Sequence, residues 1–208
     1  MSRIGWIEES EATGELAEAY REIRANWPPK EQAAEVFKAL SHRPAFMKAL
    51  SDATLMTITP GALTSVQHEM IALYVSSLTD CPYCAYHHKV FLEVGALRTV
   101  PLSGDEEQEA ERRVQIAEAL YQGNFASAPL TVPERLLLRF VETLTLQPGG
   151  VRSELIDELR DVGWSKPQIA EAVYTCALYN AWVRITNAFD TDPHDIDATF
   201  GLNQGVAK

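Results

Sequence analysis

The sequence predicts an all-α protein, on three observations. Apolar residues recur at steps of three and four along most of the chain, no stretch alternates cleanly with period two between turn signals, and helix start and stop residues bracket the apolar runs. Around Gly14 to Trp27, residues Leu16, Tyr20, Ile23 and Trp27 form one helix face, stopped by Pro28 and Pro29. A second helix is expected from Glu31 to Leu40 with Val36, Phe37 and Leu40 inward, and a third from Pro44 to about Thr57, before Pro60. Residues 65–78 read as a helix apolar almost all round, through Met70, Ile71, Leu73, Tyr74 and Val75. Another follows from about Asp80 to Val94, with Gly95 as its stop. Ser103 and Glu106 make a capping box that opens a helix to about Tyr121. A helix from Thr131 to Leu144 is broken at Gln147, Pro148, Gly149 and Gly150, and helix resumes from Val151 to Asp161. The last begins near Ser165, carries Pro167 in its first turn and runs to about Phe189. From Asp190 the tail is expected to be irregular or frayed.

At 208 residues, 46% hydrophobic and 23% charged, the chain is long and apolar enough to bury a sizeable core, so it is not intrinsically disordered. A net charge of −11 with no basic run gives no electrostatic footprint for nucleic acid or an anionic membrane surface. No apolar run approaches the roughly 18 residues of a membrane span, and acidic Glu8 and Glu9 stand where a signal peptide needs an apolar core. A cytoplasmic chain is expected. Its three cysteines are too few for a disulfide framework. In a reducing compartment, Cys81 and Cys84 as a CxxC read as redox-active thiols or metal ligands.

An internal repeat is visible. Leu63-Thr64 opens a helix ending at Leu78-Thr79, and Leu130-Thr131 opens one ending at Leu144-Thr145; shorter helices then reach Val94-Gly95 and Val162-Gly163. Only the first copy carries a CxxC, and the second has Leu136 where the first has Glu69. The expected organisation is one all-α domain over 1–208: an N-terminal helical extension (1–34), a first unit with the redox motif (35–125), a degenerate second unit (126–190) and a tail (191–208).

The chemistry is concentrated in Glu69 and the run from Thr79 to His88. Thr79 or Asp80 can cap the following helix, and Pro82 fits only its first turn, so the CxxC sits at a helix N-terminus, where exposed N–H groups and the macrodipole favour a thiolate. Steps of three and four put Cys81, Cys84 and His88 on one face. If 65–78 and 80–94 form an antiparallel hairpin turning at 77–80, Glu69 lies beside His88. One unbroken helix would hold Glu69 roughly 18 Å from Cys81. A carboxylate–imidazole–thiol chain follows, the arrangement that activates a nucleophile.

The pattern Glu69, Cys81, Cys84, His88 resembles the motif Glu-x(11)-Cys-x-x-Cys-x-x-x-His of the alkylhydroperoxidase D family, in the carboxymuconolactone decarboxylase-like superfamily. The segments from Gln67 to Leu73 and from Tyr179 to Arg184 resemble its peroxidase-related subgroup, and the likeness covers roughly residues 35 to 190. The resemblance implies an all-α, homo-oligomeric (trimeric or hexameric) AhpD-like fold and a thiol-dependent peroxidase acting on a hydroperoxide without cofactor or metal. By the same resemblance, Cys84 is the peroxidatic thiolate, deprotonated through His88 with Glu69 behind it. Cys81 resolves the sulfenic acid as a disulfide, and a lipoyl-bearing or thioredoxin-like dithiol restores it. One position departs: where well-known members carry a second His between the cysteines, this chain has Tyr83, whose phenol pKa of ~10 makes it no base near neutrality.

Other readings stand beside this one. Cys81, Cys84, His88 and Glu69 could together bind zinc. In a non-redox decarboxylase or lyase of the superfamily, His88 would do acid–base work, and thiol alkylation would leave activity intact. His87 is expected at the surface or behind the site, Tyr83 and Tyr86 in packing, and Cys176 as a buried small hydrophobe. His42, His68 and His194 show no recognisable partner. Arg184 and Asn187 are candidates to pair with acids.

Overall fold

The computed structural model describes residues 3–27, 32–59, 61–95 and 105–197. Every regular element among them is helical: α1 (Gly14–Asn26), α2 (Glu35–Lys38), α3 (Pro44–Ile58), α4 (Ser65–Leu78), α5 (Pro82–Gly95), α6 (Asp105–Tyr121), α7 (Val132–Leu146), α8 (Ser153–Asp161) and α9 (Lys166–Phe189), with 3₁₀ turns at Phe125–Ser127 and Pro148–Gly150. The all-α expectation holds, and most boundaries fall within a few residues of those read from the sequence. The exception is α2, a single turn. The proline stop at 28–29 and the Ser103–Glu106 box lie outside the described residues.

The chain divides into two compact units, residues 1–56 with 184–208 and residues 57–183. In the first, α1 buries Leu16, Ala19, Tyr20 and Ile23, the face its spacing predicts. Trp27, just past the helix, sets its ring 5.6 Å from Phe37 and donates its indole N–H to Ser51 at 2.9 Å. The Glu35 backbone N–H donates to Asp195 at 2.7 Å, and the Glu35 carboxylate accepts the Asp192 N–H at 2.7 Å. Residues 190–197 are therefore irregular as expected but tied down, with Ile196 only 1% exposed; the rest of the tail lies outside the described residues.

In the second unit α4 is the central helix. Every residue from His68 to Ser76 is buried, because α5, α6 and α7 all pack against it. Met70, Ile71, Leu73 and Val75 are among them, and burial of each such side chain contributes about 1.5–3 kcal/mol. A helix buried on every side has no amphipathic stripe, which is why its sequence reads apolar all round. α5 packs on α6, and α7 on α8. α9 meets α7 where Asn180 donates to Thr145 at 3.2 Å and the Cys176 thiol lies 3.4 Å from the same hydroxyl. Reciprocal capping boxes start α4 (Thr64 with Gln67), α7 (Thr131 with Glu134) and α9 (Ser165 with Gln168). The first two sit at equivalent positions of the internal repeat.

Candidate active site

The joint between α4 and α5 builds the thiol end of the site. α4 closes by placing Asp80 in the left-handed region (φ 48°), which lets the Cys81 N–H reach back to the Ser76 carbonyl at 3.0 Å. This six-to-one closure normally uses glycine at the left-handed position; aspartate is one of the few other residues that tolerates it. Cys81 then opens α5. Its carbonyl accepts the Ala85 N–H at 2.9 Å, its sulfur accepts the Cys84 N–H at 3.3 Å, and Pro82 follows as the first helical residue. The capping position expected at Thr79 or Asp80 thus belongs to Cys81. Thr79 instead turns its hydroxyl back to the Val75 carbonyl at 2.7 Å, finishing α4. A sulfur at a helix N-cap meets oriented N–H dipoles, an environment that favours its anion. Cys81, Cys84 and Cys176 are all thiols and all buried.

The hairpin brings Glu69 and His88 together as the residue count predicts. The Glu69 carboxylate accepts a hydrogen bond from His88 Nδ1 at 2.8 Å, with 9% of Glu69 and 8% of His88 exposed. A carboxylate only accepts, so in this pairing Nδ1 carries the donated proton and Nε2 is the ring nitrogen left for other partners. Tyr179 of α9 sets its ring edge-on to His88 at 4.6 Å between centroids. Its hydroxyl shares a 3.1 Å hydrogen bond with Thr57. Burial, reinforced by the negative charge of Glu69, pushes the Tyr179 phenol well above its ordinary value, so it stays protonated.

Two residues, His68 and His194, stand differently from expectation. Of the two places expected for His87 the structure shows the buried one: it packs on Tyr83 at 3.9 Å and against Phe91 at 6.0 Å in an i, i+4, i+8 line along α5. His68 has two partners: Thr175 Oγ1 lies 2.9 Å from its Nδ1 and Glu171 Oε1 lies 3.1 Å from its Nε2. Tyr179, which the family resemblance includes without giving it a role, flanks the imidazole. His194 pairs with Asp197 at 3.1 Å, and its side chain is largely exposed. Cys176 is the buried small residue expected, its thiol pushed up by burial. Among the described residues no group of three or more His, Cys, Asp or Glu side chains is disposed to hold a metal ion.

No protein-family profile matches the sequence, and no curated protein does. Solved structures do match. An alkylhydroperoxidase AhpD core protein of Ralstonia eutropha JMP134, described as an uncharacterized peroxidase-related protein, superposes with a TM-score of 0.74 at 20% identity over 92% of each chain. An uncharacterized peroxidase-related protein from Silicibacter sp. TM1040 gives 0.69 at 21% identity over 87% of each chain. A cysteine-to-alanine variant of the debrominase Bmp8, solved with 2,3,4-tribromopyrrole, gives 0.68 at 16% identity over 97% of each. Identities this low speak to architecture, and there they agree with the sequence resemblance: the chain has the all-helical fold of the alkylhydroperoxidase AhpD core.

Proposed function

We propose that this chain is a thiol-dependent peroxidase that reduces a hydroperoxide at Cys84 and Cys81. The observation that carries the reading is the buried 2.8 Å Glu69–His88 bond, whose imidazole stands on the helix that carries Cys81 at its N-cap and Cys84 in its first turn. With Nδ1 held by Glu69, Nε2 is the basic atom, and Cys84 lies one helical turn away to give up its proton. The Cys84 thiolate attacks one peroxide oxygen; the O–O bond breaks, leaving a sulfenic acid and an alkoxide that takes the proton from His88. The Cys81 thiol then displaces water from the sulfenic acid, forming the disulfide. An external dithiol, lipoyl-bearing or thioredoxin-like, reduces that disulfide by exchange. Peroxide and two thiols become alcohol, water and disulfide.

A homo-oligomer, trimer or hexamer, belongs to the same reading. It rests on the resemblance alone.

The test is stoichiometric. Reduced, metal-free protein receives one equivalent of cumene hydroperoxide, and thiols are counted against time. Loss of the Cys81 and Cys84 thiols, with a Cys81–Cys84 disulfide found by mass spectrometry, supports the reading; both thiols persisting overturns it. Cys84→Ser is expected to abolish turnover and Cys81→Ser to leave a trapped sulfenic acid. Glu69→Gln is expected to raise the apparent thiol pKa, and an unchanged pH profile sinks the relay.

A second reading is reductive debromination, favoured by the debrominase among the structural neighbours. The same dithiol would take bromine from a ring carbon that gains a proton, giving disulfide and bromide. Bromide release from a bromopyrrole without peroxide turnover would select it. Activity that survives alkylation of both thiols would select a non-redox lyase instead.

A further inference from the structure

A second imidazole–carboxylate pair, its imidazole buried and its carboxylate half-buried, lies beside the first and takes no part in the chemistry above. His68 precedes Glu69 on α4 and is 1% exposed. It grips α9 at two points, Thr175 Oγ1 at 2.9 Å and Glu171 Oε1 at 3.1 Å. Glu171 is itself anchored, since its other oxygen accepts the N–H groups of Ala62 at 2.5 Å and Leu63 at 2.9 Å. Gly61 makes that anchorage possible, because a Cβ there would collide with Glu171 Oε1. Glu171, Thr175 and Tyr179 occupy positions i, i+4 and i+8 of α9 and so form a single line along it. Two of them hold His68, and the third lies edge-on to His88.

We propose that His68 is a positioning residue for the thiol site: by fixing α9 to α4 through Thr175 and Glu171, it sets Tyr179 against His88 and keeps that imidazole on Glu69. The distances leave little slack, because His68 and Glu69 are chain neighbours while Thr175 and Tyr179 are one turn apart. Releasing His68 from α9 loosens both sides of the His88 ring. The charges that reach His68 are Glu171 from α9 and Glu69 from its own helix. This inference rests on the Glu69–His88 pair serving the thiols and does not require that peroxide be the substrate.

The experiment is the pH profile of iodoacetamide alkylation at Cys81 and Cys84 in the full chain, resolved by mass spectrometry from about pH 5 to 9. His68→Leu is expected to move the midpoint up by about half a unit, an alkylation rate about threefold lower on the acid side. His68→Gln, whose amide can still donate to Glu171, is expected to recover part of that shift. Thr175→Val keeps the side-chain outline, removes the contact with His68 Nδ1 together with the hydroxyl's own bond to the Glu171 carbonyl within α9, and is expected to give a smaller shift of the same sign. A merely structural His68 would lower the melting temperature and leave the midpoint in place. Unchanged midpoints in folded His68→Leu and Thr175→Val overturn the proposal, and Thr175→Val alone decides if His68→Leu does not fold. Peroxide turnover is assayed separately: shifted midpoints in a protein that leaves peroxide intact discard the peroxidase reading and uphold this one.

Discussion

Cys81 serves two helices at once, and substitutions can separate its structural role from any chemistry at its sulfur. Cys81→Ala removes an N-cap acceptor and is expected to cost about 1 kcal/mol, whereas Cys81→Ser supplies an oxygen in its place and is expected to leave stability unchanged or higher. Urea denaturation reads the difference. Tyr179→Phe keeps the ring beside His88 but removes its buried hydrogen bond with Thr57, with an expected loss of about 1 kcal/mol in the same assay. His68 makes a prediction in pH. Burial holds its pKa below the ordinary value, against the opposing pull of Glu171 and Glu69. The unfolded chain therefore binds a proton at this position before the folded chain does. The stabilisation is complete above about pH 6.5 and is lost as pH falls from there toward the lowered folded value. Denaturation midpoints at neutral and mildly acidic pH are expected to diverge less in His68→Gln than in the parent.

The helices start and stop through local chemistry, which is where substitutions at this scale act. Thr64→Ala and Thr131→Ala each break one capping box and are expected to cost about 1 kcal/mol, adding in the double variant because the two helix starts share no partner. Equal costs would support the duplicated unit. The boxes themselves are legible as Thr-x-x-Gln, Thr-x-x-Glu and Ser-x-x-Gln, since both members lie within one turn. The Glu69–His88 pair is legible too, because a break at 77–80 fixes which residues of a helical hairpin face each other. Cys81 as N-cap is not: capping preference alone favours Thr79 or Asp80, and only the left-handed backbone at Asp80 moves the start of α5 past them. Nor are the partners of His68, which lie 103 and 107 residues away along the chain. The line through 171, 175 and 179 has a helical period that sequence shows, but which helix it faces is decided by packing. Helix α2 is shorter than its apolar spacing suggests: Ala34 is outside the helical region (ψ 151°) and the Glu35 N–H is taken by Asp195, so the helix starts only at Glu35.

For the molecule as a whole, a net charge of −11 sets the long-range physics. Like charges repel in the compact state, and salt screens them within about 8–10 Å at physiological strength. The melting temperature is therefore expected to rise between low and moderate salt, and a flat response would mean that the surface ion pairs already offset the excess. No helix among the described residues is long and apolar enough to cross a membrane. The joint at Cys81 has a consequence that reaches an observable of the entire chain. Its sulfur holds the amide hydrogen of Cys84, so whatever happens to that sulfur is written into a backbone proton. Alkylating or oxidising Cys81 is expected to speed deuterium uptake at the Cys84 amide while leaving the buried middle of α4 unchanged. A hydrogen-exchange map would then serve as a gauge of oxidation state, read from the main chain without a thiol reagent.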